Sequence, residues 1–273
     1  MKNIRYILLF LTAILLNSCE QVVDVDLDTA APRLVVEASI DWVKGTAGNR
    51  QIIKLTTTTG YYSTEIPKVS GATVFITNSS NTVFDFIEQE AGTGEYKCEY
   101  FAPVLGETYV LTVINGDQTY TATETMTAVP DITYTTQAND GGFLGEDVEI
   151  RYYWNDFPDQ SNYYLSRFDA AVIPTPEYDV GSDEFYEGNE MFEFFSDEDL
   201  KPGDTISIKL YGISERYHDY MNILLAAAGG GGNPFQSVPT AATGNLINQT
   251  NESNYALGYF RVCEVSALQV TVQ

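Results

Sequence analysis

Short runs of β-branched and aromatic residues recur every 10 to 15 residues along this chain, with Gly, Asn or Pro between them. In the first half, such runs occupy 33–42, 51–59, 72–80, 82–90 and 94–102. Closely spaced short strands separated by turn residues are typical of β-sandwiches. The pattern predicts an immunoglobulin-like β-sandwich over residues 33–128, although the Cys…Trp…Cys pattern of antibody domains is absent.

The clearest hairpin in this region covers residues 107–126. Its two β-rich runs flank Asn115-Gly116-Asp117. An Asn-Gly pair between such runs is the strongest short-range hairpin signal, so we predict a tight turn at this point.

A second mostly β region is predicted to follow a linker at Val129-Pro130-Asp131 and to cover residues 129–273. Residues 147–156 and 162–173 alternate aromatic with polar side chains, which favours a hairpin with the loop 156–161 between them. Residues 204–214 read as a further strand, and the last strand lies near the carboxyl terminus.

One amphipathic helix is predicted in this second region, over residues 215–228. The apolar side chains that share one helical face are Tyr217, Tyr220, Met221, Leu224 and Leu225. Ser214 is suited to cap the amino terminus, and the glycines 229–232 end the helix. The predicted fold class is therefore mostly β, with two β-sandwich-like domains, of which the second carries this helix.

The first 18 residues have the composition of a signal peptide. Lys2 and Arg5 form a basic start, and the apolar run 6–16 that follows is too short to span a membrane. Leu16-Asn17-Ser18-Cys19 resembles a bacterial lipobox, which predicts cleavage before Cys19 and its acylation, palmitate included. Acyl chains would anchor a domain that has no spanning helix. An ordinary secretory signal with a chance Cys is the alternative.

Residues 19–32 are predicted to form an acidic tether. Its acids are Glu20, Asp24, Asp26 and Asp28. Early acids after a lipidated Cys resemble the surface-export signal of Bacteroidota lipoproteins, and a solvated linker is an equally good interpretation. Asp28-Thr29-Ala30 also matches the Asp-Ser/Thr-aliphatic pattern of Bacteroidota O-glycosylation, which makes Thr29 a candidate acceptor.

The charge of the chain restricts its partners. There are 38 Asp and Glu residues against 14 Lys and Arg, a net charge of −24. Nucleic-acid binding and electrostatic docking on anionic lipid both need clustered Lys and Arg, so we expect neither. The sequence contains one His and no motif for a catalytic, cofactor or metal site. A Cys98–Cys263 disulfide is left open, because buried free Cys is also common in strand-like runs.

The most acidic stretch, residues 178–199, is also rich in aromatic rings. The rings are Phe185, Tyr186, Phe192, Phe194 and Phe195, interleaved with nine carboxylates. This mixture suits a partner-contact loop that acids keep soluble until it docks. A solvated insertion between strands and a Ca²⁺ site are the alternatives, although the EF-hand order of acids is absent. Phe235, which follows the glycines 229–232, is a further candidate contact residue.

Short motifs near both ends of the chain follow one another in a defined order. At the amino end they are Cys19-Glu20, Val23-Asp24-Val25-Asp26-Leu27 and Pro32-Arg33-Leu34-Val35-Val36-Glu37. At the carboxyl end, beyond the helix, they are Gly232-Asn233-Pro234-Phe235, Gly244-Asn245 and Leu257-Gly258-Tyr259-Phe260. Together they resemble a family of Bacteroidota outer-membrane lipoproteins, domain of unknown function 4249. Ala38 departs from that family, which often has Gly there.

The resemblance implies a lipid-anchored outer-membrane lipoprotein, often encoded beside a TonB-dependent transporter, and it supplies no catalytic residues. We therefore expect a non-enzymatic, surface-exposed accessory or binding protein that works beside such a transporter or another outer-membrane barrel. The alternative is direct capture of glycan or peptide through exposed aromatic rings. Trp42, Trp154 and the Tyr-rich residues 152–164 would then form an exposed row in a concave site. An enzyme would need a pocket of converging carboxylates with perturbed pKa values.

Overall fold

The structure, a computed structural model, describes residues 31–60, 63–142, 144–228 and 242–273. The predicted signal peptide, nearly all of the tether and the residues Cys19, Thr29 and Phe235 lie outside the described residues. From Pro32 to Gln273 the chain forms one compact unit. Within the described ranges, no helix is both long and apolar enough to span a membrane.

Seven strands build most of the first sandwich. They are β1 (Leu34–Val43), β2 (Gln51–Thr57), β3 (Thr73–Asn78), β4 (Val83–Glu88), β5 (Glu95–Cys98), β6 (Thr108–Asn115) and β7 (Gln118–Thr125). Strand β4 pairs first with β3 and then, at Ile87 and Glu88, with β5, so it passes from one layer to the other. Alternate side chains of both layers, such as Ile40, Leu55 and Leu111, enclose one core.

The hairpin predicted at residues 107–126 is confirmed by the pairing of β6 with β7. Asn115 pairs with Gln118, so the two-residue loop is Gly116-Asp117. Gly116 has a φ of 62°, which glycine adopts without strain at the first position of such a turn.

The second sandwich has two facing sheets. One contains β8 (Ile132–Gly141), β9 (Asp147–Asn155) and β12 (Glu190–Asp197), in the order β12-β9-β8. The other has the order β11-β10-β13-β15, from β10 (Tyr163–Ala170), β11 (Glu177–Ser182), β13 (Thr205–Ile213) and β15 (Leu257–Thr271). The short β14 (Ile247–Asn248) adds to β7. The prediction of a mostly β fold is confirmed.

The predicted hairpin between residues 147–156 and 162–173 is wrong, because β9 and β10 lie in opposite sheets. Their inward side chains meet across the core: the hydroxyls of Tyr152 and Ser166 are hydrogen-bonded, and the rings of Trp154 and Tyr164 lie 5.4 Å apart. Both strands carry aromatic side chains on the inward face, and these side chains pack against each other across the core. Their backbones are hydrogen-bonded to other strands, β9 to β12 and β10 to β13.

The predicted helix is confirmed as α1 (Glu215–Ala228). The Ser214 hydroxyl accepts a hydrogen bond from the Tyr217 backbone N–H at 3.3 Å, as expected of an amino-terminal cap. Tyr217 and Met221 are buried against Leu165 and Val265, on the face of the sheet that points away from the sandwich core.

Strand β15 belongs to both sandwiches. Its first part runs parallel to β1, from Val35 beside Leu257 to Val43 beside Val265, and its later part pairs with β13. Phe260 accordingly lies in the first core and Val270 against the second. The predicted boundary between residues 128 and 129 stays a prediction, but it assigned β15 to the second region alone and missed this shared role.

Candidate functional site

The outer face of the sheet β12-β9-β8 carries a row of aromatic rings. The register places Tyr134 beside Tyr153, and Tyr153 beside Phe192. The ring centroids of Tyr134 and Tyr153 lie 4.3 Å apart, and those of Tyr153 and Phe192 lie 5.7 Å apart. Tyr134, Phe192 and Phe194 are 45%, 48% and 43% exposed. These four residues, Tyr134, Tyr153, Phe192 and Phe194, are called the aromatic face below.

Polar contacts hold the rings of the aromatic face in place. The guanidinium carbon of Arg151 lies 5.2 Å from the centre of the Phe192 ring, and its Nε donates to Glu149. The Tyr134 hydroxyl donates to Glu190 Oε1 at 3.2 Å, and the pKa of Tyr134 is raised by desolvation and by that carboxylate. A face whose side chains are already ordered loses less entropy when a partner binds.

Gly141 shapes the end of this sheet. The pairing of β8 with β9 shifts between Ala138 and Gly141, so the strand bulges there. A Cβ atom on Gly141 would lie only 2.3 Å from the Cβ of Glu149. Because position 141 is glycine, the Glu149 side chain can pack closely against β8 and still accept the hydrogen bond from Arg151 Nε on the same face of β9.

The acidic stretch predicted as one loop is instead a strand, a loop and a strand. Strands β11 and β12 are the edge strands of the two facing sheets, and the loop 183–189 joins them. This unit, residues 177–197, is called the acidic arch below. Its loop is held by a hydrogen bond from the Gly188 N–H to Asp156 Oδ2 at 2.8 Å. Phe185 and Tyr186 at its tip are 85% and 53% exposed.

The carboxyl groups of Asp179 and Glu193 lie close together where the edge strands β11 and β12 face each other. Glu193 Oε1 accepts from the Phe194 N–H at 2.9 Å, and Asp179 Oδ1 accepts from the Val180 N–H at 2.8 Å. Burial, followed by the nearby Asp179 carboxylate, raises the pKa of Glu193 to about 7. The pKa of Glu177 is also raised, by burial and by Asp197. Carboxyl groups are therefore crowded along this edge, which favours the protonated forms of Glu193 and Glu177.

The five described rings predicted as partner contacts separate into two groups. Phe185, Tyr186, Phe192 and Phe194 are exposed, and their role as contacts stays a prediction. Phe195 is corrected by the structure: it is 2% exposed and packs on Phe168 in the second core. Consecutive residues of a strand point to opposite faces, so Phe194 and Phe195 of β12 cannot both face solvent.

The aromatic residues expected to form a glycan-binding row are mostly core residues. Tyr152, Trp154 and Tyr164 are buried between the two sheets, which corrects that expectation. The Trp42 Nε1 group donates to Thr46 O within its own turn. Tyr153, which belongs to the predicted Tyr-rich residues 152–164, lies instead on the outer face of the sheet. Tyr134 was not predicted, because the many Thr, Gln and Asn residues of β8 hide the alternation of strand 132–141.

The two described cysteines are free and buried. Cys98 lies in the first core, whereas Cys263 lies under α1, beside Asp41 and Arg261. Among the described residues, no group of three or more His, Cys, Asp or Glu side chains is arranged to hold a metal ion.

Those motif residues near the termini that lie within the described ranges have structural roles. The Arg33 guanidinium lies 3.7 Å from the centre of the Tyr255 ring, which ties the start of β1 to the segment before β15. Gly258 has a φ of 90°, and a Cβ there would lie 2.1 Å from the Val36 carbonyl oxygen. The Asn245 side chain bonds both the N–H and the carbonyl of Phe260, at 2.9 and 2.7 Å. The contacts of Arg33 and Gly258 fasten β1 to the start of β15 and the residues before it, and Asn245 fixes the loop that precedes β15.

The surface depressions that the structure shows are open and shallow. One of about 260 Å³ adjoins the aromatic face and is lined by Thr136, Asp140, Glu149, Arg151 and Tyr153. Another of about 400 Å³ lies between β8 and the last residues of β15. The Asp179 and Glu193 carboxyls line neither of them, so the perturbed acid pair sits at a strand edge and not in either depression.

Two of the solved structures to which this chain is similar consist of fibronectin domains, and a third is an enzyme. A two-domain fibronectin type III segment of chicken tenascin shares 12% identity, over 66% of this chain and 90% of that one, with a TM-score of 0.22. The first three such domains of chicken CNTN1 share 12% identity, over 90% and 68%, with a TM-score of 0.25. Red sea bream transglutaminase shares 7%, over 90% and 32%, also with a TM-score of 0.25.

A comparison with curated proteins finds no match. The family model named domain of unknown function (DUF4249) matches residues 20–269, which is nearly the whole chain. The resemblance inferred from the terminal motifs is confirmed, and this chain belongs to the DUF4249 family.

Proposed function

We propose that this protein is a non-enzymatic lipoprotein of the outer membrane, anchored through acyl chains on Cys19 and exposed at the cell surface. In this proposal it is an accessory protein that docks on a TonB-dependent transporter or another outer-membrane barrel. The signal sequence and the acidic residues that follow Cys19 support the anchor. Membership of the DUF4249 family supports the association with a transporter, because the family resemblance implies it.

The observation that carries the docking role is the aromatic face. Exposed rings ordered by Arg151 and Glu190 form an apolar surface with a polar rim, which is the composition of a protein-binding patch. Aromatic residues and Arg are also the side chains that most often dominate binding energy at such patches.

The arrangement of the rings favours a protein partner over a sugar. The ring planes of Tyr134 and Tyr153 differ by only 10°, so one face of each ring is covered by the other ring. The Arg151 guanidinium lies over the ring of Phe192. A sugar needs an open ring face for stacking, whereas a protein side chain can pack against ring edges as well.

The position of the face along the molecule suits a protein held from one end. The chain enters the fold at β1, beside Leu257, whereas the second core packs on the other end of β15, near Val270. At a rise of about 3.3 Å per residue, those two points of β15 are roughly 40 Å apart. An anchor at the entry would therefore leave the aromatic face free to meet a neighbour.

Affinity isolation of the full-length protein from native membranes tests this function. We expect acylated protein that carries a barrel protein with it, and we expect a Tyr134→Ala/Phe192→Ala variant to lose the barrel. An Ile52→Ala/Ile87→Ala variant, which removes exposed apolar groups from the first sandwich, is the control and should retain it. Acylated protein that brings no barrel would contradict the proposal, as would equal loss in both variants.

Direct capture of glycan or peptide is the second candidate, and the depression beside Tyr153 favours it. That depression offers one ring and several polar groups, which suits a single sugar unit or a short peptide. Titration with outer-membrane glycans and with peptide mixtures would test it. Saturable binding that Tyr153→Ala abolishes would replace the docking proposal, and absence of binding would remove this candidate.

A further inference from the structure

The molecule shows twice how its surface holds a guanidinium group. Arg151 lies over the ring of Phe192 while its Nε donates to Glu149. Arg167 has its guanidinium carbon 5.6 Å from the centre of the Tyr178 ring, while it donates two hydrogen bonds to Asp169, at 2.8 and 2.9 Å. In both cases one aromatic ring and one carboxylate share the cation, which combines a cation–π contact with a charge-assisted hydrogen bond.

The acidic arch carries aromatic rings and carboxylates, as these two sites do, but no arginine. At its tip, Phe185 and Tyr186 are flanked by Glu184 and Glu187, and all four side chains are exposed. No Lys or Arg within the described ranges forms an ion pair with either Glu or lies over either ring. The rings of these two sites, Phe192 and Tyr178, lie on the strands that lead into this tip, β12 and β11, and each Arg lies on the neighbouring strand, β9 or β10.

The charge of the acidic arch favours a cationic partner. Residues 177–197 contain eight Asp and Glu residues and no Lys or Arg. Their summed charge gives this part of the surface a negative potential. A partner that brings positive charge gains from this potential, whereas an anionic or neutral partner does not.

The backbone of the arch suits an extended partner. Strands β11 and β12 each end a sheet, and the structure shows each of them paired on one side only, with β10 and β9 respectively. An extended segment can follow a free strand edge and place alternate side chains toward it.

We propose that the acidic arch is a docking surface for an extended, arginine-bearing segment of a protein partner. Guanidinium groups of that segment lie over the rings of Phe185 and Tyr186 and donate hydrogen bonds to Glu184 and Glu187. This is the same combination of ring and carboxylate that holds Arg151 and Arg167 elsewhere in the chain. This inference rests on the proposed docking function and names the chemistry of the partner.

A peptide titration on the full-length protein in detergent micelles tests the inference. The probe is a fluorescent ten-residue peptide in which Arg alternates with Thr, and its matched control carries the uncharged isostere citrulline in place of Arg. Anisotropy should show that the citrulline peptide binds at least about tenfold more weakly. A Lys peptide of the same pattern should bind less tightly than the Arg peptide, because Lys lacks the planar fork.

Matched variants separate a specific surface from general attraction to an acidic protein. Glu184→Gln/Glu187→Gln and Phe185→Ala/Tyr186→Ala should each weaken binding of the Arg peptide at least about fivefold. Glu65→Gln/Glu90→Gln makes the same charge change at exposed positions of the first sandwich and should leave binding within about twofold. Equal loss in the control, or unchanged binding by the Phe185/Tyr186 variant, would overturn the inference. The titration contains no barrel, so its failure is distinct from failure of the membrane isolation.

Discussion

The two sandwiches present different outer faces to solvent. On the first, Lys54 and Lys97 form ion pairs with Glu95 at 3.1 and 3.6 Å, and Arg50 pairs with Glu99 at 2.8 Å. On the second, outward positions of β9 and β12 carry the rings Tyr153, Phe192 and Phe194, and the acidic arch, which includes β12, contains no Lys or Arg. Glu95 and Glu99 of the first face are therefore paired with cations, whereas Glu184 and Glu187 at the tip of the acidic arch form no ion pair within the described residues. Because both sandwiches share β15, this difference lies in the outward residues and not in the type of scaffold.

The largest difference in effect is expected between two adjacent residues of β12. Phe195→Ala should lower the free energy of unfolding by about 3–5 kcal/mol, because it leaves a cavity beside Phe168 in the second core. Phe194→Ala should change it by less than about 1 kcal/mol, because that ring is exposed. Urea denaturation of both variants measures this, and similar losses would contradict the assignment of the two faces.

One carboxyl of each sandwich, Glu193 in the second and Glu88 in the first, should make stability respond to pH in opposite directions. The raised pKa of Glu193 means that the folded state binds more protons than the unfolded state between pH 4.5 and about 7. The free energy of unfolding should therefore fall as the pH rises through that window, by at most about 3 kcal/mol, and Glu193→Gln should remove the fall. Denaturation at pH 4.5, 6 and 8 measures it, and an unchanged slope in the variant would contradict the burial of Glu193.

Glu88 of the first sandwich is the matched case. Hydrogen bonds from the Ser70 hydroxyl and then from the backbone of Gly94 lower its pKa. Its contribution should therefore be present above pH 4.5 and be lost as the pH falls through the lowered pKa, and Glu88→Gln should remove that loss. If Glu88→Gln and Glu193→Gln altered the pH profile in the same direction, the contrast between the two carboxyls would be refuted.

The shared strand should couple the two sandwiches. Gly258→Ala should lower the free energy of unfolding by at least about 2 kcal/mol, because its positive φ and the nearby Val36 carbonyl both oppose a Cβ atom. Gly45→Ala, where φ is 78° but space is open, should cost only about 1 kcal/mol. Hydrogen exchange should show lower protection in both sandwiches of the Gly258 variant; loss confined to the first would show that they unfold separately.

The smallest effect on stability is expected at the aromatic face. Tyr134→Ala should change the free energy of unfolding by less than about 1 kcal/mol, since the ring is exposed and its bond to Glu190 lies at the surface. The same variant should still reduce the amount of barrel that is isolated with the protein. Loss of folding in this variant would show that the row of rings is structural.

Sequence reasoning predicted those elements whose signals are local. The helix over Glu215–Ala228, its Ser214 cap and the hairpin at Gly116 follow from periodicity and turn chemistry within a few residues. The pairing of β9 and β10 with distant strands could not be predicted, because alternation shows which face is buried but not which strand lies beside it.

The candidate site was predictable only in part, for the same reason. The acidic stretch drew attention to Phe192 and Phe194, but Tyr134 and Tyr153 complete the row through cross-strand register. Phe195 has the same composition signal as Phe194 and differs only in the face to which it points. The contact between Asp179 and Glu193 joins two sheets and leaves no trace in local sequence.

Site-specific photo-crosslinking in native membranes tests the proposed docking face most directly. A photoreactive amino acid is placed at position 194, on the aromatic face, or at position 87, where Ile87 is 62% exposed on the first sandwich. The proposal predicts that position 194 yields a product in which mass spectrometry identifies an outer-membrane barrel, and that position 87 does not. A barrel crosslinked from position 87 alone, or from neither position, would contradict it.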